Sequence, residues 1–259
     1  VLLAALGLAA LPAAAHAQTP PAATPTPTAT PEATPTPEPG ERPDPSFAPP
    51  SRAKGGTIAT IVAATTAHTS LTGKSRSIAV STSTSWSAEP QSLLVLDEAM
   101  KKGQLYLKVL LPNRPNGSSG WISRDKVTLQ RTPYWIDVST TGRRVTVYRR
   151  GKKVRSAPAV VGKAGTPTPH TLAAVYEVNR QPDPQAFLGP WALSLTAVSN
   201  VLQNFGGGPG RVAIHGRAGS SLLDPLGSAR SHGCVRIPNA DISWMARYLQ
   251  AGTPVSLHR

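Results

Sequence analysis

The residues able to do chemistry gather around a single thiol. Ser231-His232-Gly233-Cys234-Val235-Arg236 sets the chain's only cysteine two residues after one histidine and two before an arginine. Upstream, Val212-Ala213-Ile214-His215-Gly216 supplies a second histidine. A cysteine attacks carbonyl carbon as the thiolate, and its ordinary pKa of about 8.5 leaves little of it ionised at neutral pH. A histidine within reach, with positive charge nearby, raises that fraction, and His215, His232, Arg230 and Arg236 offer both. Gly233 leaves the backbone room to turn N–H groups toward a developing oxyanion. The expected chemistry is nucleophilic acyl transfer, with Cys234 as nucleophile and His215 as base. Two other readings use the same residues. One is a buried structural cysteine, although a polar glycine-containing loop is an unusual place for it. The other is a zinc site of His215, His232 and Cys234, for which the neighbouring sequence offers no evident fourth ligand or catalytic acid.

These groups need rigid elements to hold them. Val212-Ala213-Ile214 reads as a buried strand that delivers His215 at its end. Upstream of it, Ile136-Asp137-Val138 and Val145-Thr146-Val147-Tyr148 alternate, and Arg150-Gly151-Lys152 marks a hairpin turn into Val154–Val161. A helix is expected over Asp241–Gln250, where Ile242, Met245, Ala246 and Leu249 recur at helical spacing, with Gly252 as its stop and a last strand at Pro254–Leu257. A separate β-rich module is expected over residues 66–131. Leu105–Leu111 is rich in strand formers, Pro112–Gly117 is a dense turn signal, and Gly120-Trp121-Ile122 and Val127-Thr128-Leu129 start further strands. Leu-Pro-x-Arg-Pro-Asn-Gly followed by Gly-Trp-Ile resembles bacterial SH3-like wall-associated modules, implying a small β-barrel that either binds wall or serves as structure.

The site itself resembles a family. His-Gly, sixteen residues from His215 to Ser231, then Ser-His-Gly-Cys-x-Arg is similar to the signature of L,D-transpeptidases, enzymes that cross-link peptidoglycan. Val161-Gly162-Lys163, Thr166-Pro167-Thr168-Pro169, Gly189-Pro190-Trp191, Gly206–Gly208 and Gly252-Thr253-Pro254-Val255 extend the likeness over residues 134–259. The resemblance implies a mainly β fold, an SH3-like barrel followed by a β-sandwich with the cysteine in a tunnel beneath a lid. It implies that Cys234 attacks the diaminopimelate carbonyl of a donor tetrapeptide, expels D-Ala and holds a thioester. His215 would take the thiol proton and later that of the acceptor amine. The amides of Gly233 and Cys234 would bind the oxyanion, Ser231 and His232 would shape the loop, and Arg236 and Trp191 would lie on the substrate side. Peptidoglycan stem peptides are the implied partners, carbapenems the implied covalent inhibitors, and neither metal nor cofactor is called for. An L,D-carboxypeptidase, with water as acceptor, shares the same acyl-enzyme, and a non-catalytic wall-binding protein is the rival of another class. The chain departs from the family at His170-Thr171, which follows the Thr-Pro-Thr-Pro turn, and at Gly216-Arg217. His170 is expected to be a surface turn residue.

Charge and composition set the surroundings. The chain carries 27 Lys+Arg against 13 Asp+Glu, and four of those acids lie among the first fifty residues with only Arg42 opposing them. The remainder therefore holds 26 basic and 9 acidic residues, a net of +17. Such a charge favours a polyanionic partner: nucleic acid, acidic lipid or anionic wall polymer. Val1–Leu11 is apolar and Ala15-His16-Ala17 fits a small-x-small cleavage signal, so residues 1–17 read as the remnant of a secretory signal, an apolar tail being the alternative. Export to the wall or the outer membrane face disfavours nucleic acid. Residues 18–51 hold twelve of the 27 prolines, a linker of extended character that can span on the order of 100 Å at about 3.1 Å per residue. The cluster Arg143, Arg144, Arg149, Arg150, Lys152, Lys153 and Arg155 reads either as a solvated face or as a docking surface for anionic wall polymer.

Overall fold

Residue types dictate two β layers in this chain. A computed structural model describes residues 47–205 and 208–259, which belong to one compact unit. The expected signal segment and most of the proline-rich linker lie outside the described residues, as do Gly206 and Gly207. The first layer contains β1 (Gly56–Ile61), β2 (Thr65–His68), β3 (Ser77–Val80), β4 (Ser92–Lys101), β5 (Gln104–Leu110), β6 (Ser119–Ser123) and β7 (Val127–Thr132). They form one antiparallel sheet in the order β3-β2-β6-β5-β4-β1-β7. Its core is built from Ala59, Ile61, Leu93, Val95, Leu107, Val109 and Ile122.

The second layer begins with β8 (Tyr134–Ser139), β9 (Arg144–Arg149) and β10 (Lys152–Pro158). The β9–β10 hairpin turns through Arg150 and Gly151, both at positive φ, as a two-residue turn matched to strand twist requires. β11 (Val161–Gly162), β12 (Thr171–Arg180), β13 (Trp191–Val198) and β14 (Arg211–His215) follow, then β15 (Ala229–Ser231), β16 (Val235–Arg236), α1 (Asn239–Tyr248) and β17 (Pro254–His258). Eight strands order as β10-β9-β8-β17-β12-β13-β14-β16, parallel only at β8–β17 and β14–β16, while β11 and β15 form a small parallel pair. α1 packs Ile242 and Met245 onto this sheet's core beside Leu193, Leu195, Val212, Ile214 and Val235. Fully burying each such side chain stabilises the fold by about 1.5–3 kcal/mol. The helix starts two residues before its expected position, directly after Pro238, which cannot donate to a helix and sits at its N-cap.

The layers interlock. Leu94 and Leu110 of the first sheet pack with Ala174 of the second. Arg114 reaches across to donate to the carbonyls of Ser199 at 2.6 Å, Leu202 at 3.0 Å and Pro209 at 2.8 Å. Asn116 brackets Val198, donating to its carbonyl at 2.7 Å and accepting from its N–H at 2.8 Å. The dense turn Pro112–Gly117 therefore fastens the loop that joins β13 to β14.

Candidate active site

Strand alternation decides which face carries the chemistry. Val212 and Ile214 of β14, with Val235 and Ile237 around β16, enter the core. Arg211, Ala213, His215, Cys234 and Arg236 therefore share the opposite face. β14 and β16 run parallel, with His215 opposite Arg236. The strand expected to deliver His215 at its end is β14, whose last residue is His215.

His215 is 1% exposed. Its Nδ1–H donates to the Gly216 carbonyl at 2.8 Å, which leaves the lone pair on Nε2. Burial drives its pKa down to about 4; the carbonyls of Gly216 and Leu188 oppose the fall and the Arg236 charge adds to it. At neutral pH the ring is an uncharged base. The Cys234 thiol moves the other way: burial raises its pKa, while a backbone hydrogen bond from Ala213 and the Arg236 charge pull it back. The sequence suggested a thiol already biased to thiolate by surrounding charge. Burial outweighs that charge, because removing an anion from water costs more than one guanidinium returns. At rest the imidazole and the thiol are both neutral.

The cysteine loop is fixed from inside. Ser231 is fully buried; its hydroxyl donates to the Cys234 carbonyl at 2.5 Å and accepts from the Gly233 N–H at 3.1 Å. The Gly233 amide, expected as an oxyanion donor, is thus directed at Ser231, whereas among the described residues no group takes the Cys234 amide. Gly233 itself sits at φ +120°, a conformation that side chains rarely adopt. The turn Lys163–Thr168 clamps the loop from outside. Lys163 N–H donates to the Ser231 carbonyl at 3.0 Å, the Thr166 hydroxyl to the same oxygen at 3.3 Å, and the Thr168 hydroxyl to the Gly233 carbonyl at 2.8 Å.

The other expected residues separate. His232 is exposed, stacks on Phe205 at 6.2 Å between ring centroids, and accepts from Lys163 Nζ at 3.5 Å. It lies on the exposed surface of the loop, whereas His215 is buried. Arg236 is 4% exposed, with Nη1 on Asp224 Oδ2 at 2.5 Å and its guanidinium 4.7 Å above the Phe187 ring; its Nε is buried with no partner among the described residues. Trp191 packs its half-buried ring on the core, and its carbonyl accepts from Gly216 N–H at 3.2 Å, steadying the residue after the base. His170 is exposed on Thr140, at 2.9 Å.

Sequence reasoning missed Asp224 and Phe187, whose importance depends on loop-to-loop contacts. Arg217, noted only as a departure, donates from Nη2 to the carbonyls of Leu222 at 3.2 Å and Asp224 at 2.5 Å, so it organises the segment that presents Asp224 to Arg236. Arg217 and Asn239 also exchange two backbone–side-chain bonds, at 2.7 and 2.9 Å.

Comparison with known proteins bears on the same segment. The model of the YkuD family, the L,D-transpeptidase catalytic domain, matches residues 133–257. The chain is 37% identical over 125 residues to a putative L,D-transpeptidase, YkuD, of Bacillus licheniformis, covering 48% of this chain and 66% of that one. It is 32% identical over 127 residues to the putative L,D-transpeptidase YkuD of Bacillus subtilis, covering 49% and 67%. The chain thus spans about two thirds of the length of these relatives. Among solved structures, L,D-transpeptidase 3 from Mycobacterium tuberculosis in complex with a faropenem-derived adduct aligns at 14% identity over 65% of this chain and 91% of that one, with a TM-score of 0.41. Through residues 133–257, this chain belongs to the L,D-transpeptidase family.

Proposed function

We propose that this protein is an exported cysteine acyltransferase that joins diaminopimelate residues of neighbouring peptidoglycan stems. The observation that carries the reading is the buried neutral His215, its Nδ1 tied to Gly216, on the same sheet face as Cys234. As Cys234 Sγ attacks the diaminopimelate carbonyl of a donor tetrapeptide, its proton passes to His215 Nε2. The oxyanion faces the unengaged Cys234 amide, a donor of the kind worth roughly 3 kcal/mol to the transition state. The C–N bond breaks, the imidazolium protonates the departing D-Ala amine, and a thioester remains on Cys234. The acceptor amine of a second diaminopimelate attacks that thioester, gives its proton to His215, and restores the thiol as the new amide forms. Water as acceptor would give a carboxypeptidase from the same intermediate. The apolar Val1–Leu11 run and the proline-rich tract support placement at the wall.

The test is incubation with disaccharide-tetrapeptide and mass spectrometry of the products. Cross-linked dimers are expected; release of D-Ala alone would make the protein a carboxypeptidase, and no product would make it a binding protein. A carbapenem, whose strained ring acylates an activated thiol, should add one adduct that Cys234→Ala abolishes. His215→Gln should slow that acylation by about 10²–10⁴-fold, as loss of a general base does. His232→Gln, by its exposed position, should slow it far less.

A further inference from the structure

One cavity on the sheet face that carries the thiol is not used by the acyl-transfer steps. It measures about 150 Å³ and is lined by Trp86, Tyr176, Glu177, Ser194, Phe205 and Arg211, among others. Ser194 is the β13 partner of Ala213, whose backbone bonds the Cys234 thiol, so the cavity opens one residue pair from the nucleophile on the same sheet face. Two charged side chains of opposite sign line it. Glu177 is 2% exposed, and Arg211 is half-buried, with desolvation lowering its pKa. They lie within electrostatic reach of each other but form no ion pair. Each is held by neutral groups instead. Glu177 Oε1 accepts from Ser87 N–H at 3.1 Å and Oε2 from Asn179 Nδ2 at 3.4 Å. Arg211 donates to the Leu195 carbonyl at 3.0 Å and lies 4.3 Å from the centroid of Tyr176. Two charges of opposite sign on one cavity, partly withdrawn from water and not paired with each other, offer complementary partners to a ligand that carries both signs.

We propose that this cavity is a subsite for a group carrying both an ammonium and a carboxylate on one carbon, the free aminocarboxylate end of the donor diaminopimelate side chain. This rests on the acyl-transfer reading. The ammonium faces Glu177, the carboxylate faces Arg211, and the methylene stem lies against Trp86, which is 69% exposed on the first sheet's side of the cavity. The first layer thus contributes to substrate selection: the position of a Cβ on Gly208 would lie 3.4 Å from the Trp86 ring, so that ring forms a wall with the β13–β14 loop.

The test is a ligand-observed NMR titration of the full chain with three probes: meso-diaminopimelate, cadaverine and pimelate. Saturable binding of meso-diaminopimelate alone is expected, weakened at least tenfold by Glu177→Gln and by Trp86→Ala. Trp86 is exposed, so its replacement keeps the test valid if Glu177→Gln fails to fold. Equal binding of the three probes, or binding indifferent to Trp86→Ala, would overturn the subsite. Binding is read without turnover, so failure of the subsite is distinct from failure of the acyl-transfer reading, which shows as absence of thioester. Single-turnover D-Ala release assigns the end: a tetrapeptide with lysine in place of diaminopimelate should acylate at least tenfold more slowly. Discrimination appearing only in dimer formation would place the group on the acceptor and overturn the donor assignment.

Discussion

Between about pH 4, where burial holds His215, and the ordinary histidine pKa of about 6.5, the unfolded chain binds a proton that the folded chain refuses. Stability therefore rises with pH across that window and falls as pH drops through it. The full loss amounts to roughly 3 kcal/mol at about 1.36 kcal/mol per pH unit. His258, whose pKa its bond to Asp137 raises, has the opposite sign, because its contribution is present at low pH and fades as pH rises through the raised value. Subtracting the profile of His215→Gln from that of the native chain removes the His258 part. Urea unfolding from pH 7 to 4 should show the native slope largely flattened in the variant. Cys234, His215 and Ser231 were legible in the sequence because a strand end and a six-residue loop carry them. Asp224 and Phe187 were not, since each acts through a contact made by another loop, and Thr168 was read only as part of the Thr-Pro-Thr-Pro turn. The ionisation state was misread for a related reason: charge is written in the sequence, but burial is not.

At the scale of elements, the turn Lys163–Thr168 holds the cysteine loop in place. Thr168 is 3% exposed, and its hydroxyl both donates to the Gly233 carbonyl and accepts from Gly162 N–H at 3.0 Å. Thr168→Val keeps the shape and leaves two buried backbone groups without partners, a cost of about 1–3 kcal/mol for such a loss. Thermal unfolding should shift down by several degrees and carbapenem acylation should slow, with Thr168→Ser restoring both. Hairpins were read well because alternation and turn residues agree, as at β9–β10. β12 escaped notice because Leu172–Tyr176 is almost continuously apolar and a register shift between Val175 and Glu177 breaks its alternation. β1 lies upstream of the expected module boundary at residue 66, and its pairing with both β4 and β7 is a long-range event that local pattern does not announce.

Over the whole molecule, the net charge of +17 beyond the first fifty residues has a focus. Arg149, Arg150, Lys152 and Lys153 are exposed at the end of the β9–β10 hairpin. Arg155 is different: it pairs with Asp241 at 2.6 Å and braces α1. Replacing the four exposed residues by Gln should weaken sedimentation with isolated walls at low salt and leave the fold intact. The difference should fade above roughly 0.15 M salt, where exposed charges are screened beyond about 8 Å. Wall binding that ignores both salt and these residues would reduce the hairpin to a solvated face.

The uncharged resting state of Cys234 also bears on its durability. Peroxides and small alkylating agents consume thiolate at a rate set by its ionised fraction and accessibility. A half-buried thiol with a raised pKa offers them little thiolate to attack, whereas under the proposed mechanism a ligand that docks and draws the proton to His215 meets a full nucleophile. Iodoacetamide at pH 7 should therefore label the native chain more slowly than free cysteine, while a carbapenem reacts with it readily. Protection from oxidants and reactivity toward the docked acyl group would then follow from the same burial, with selectivity exerted by docking before any bond forms.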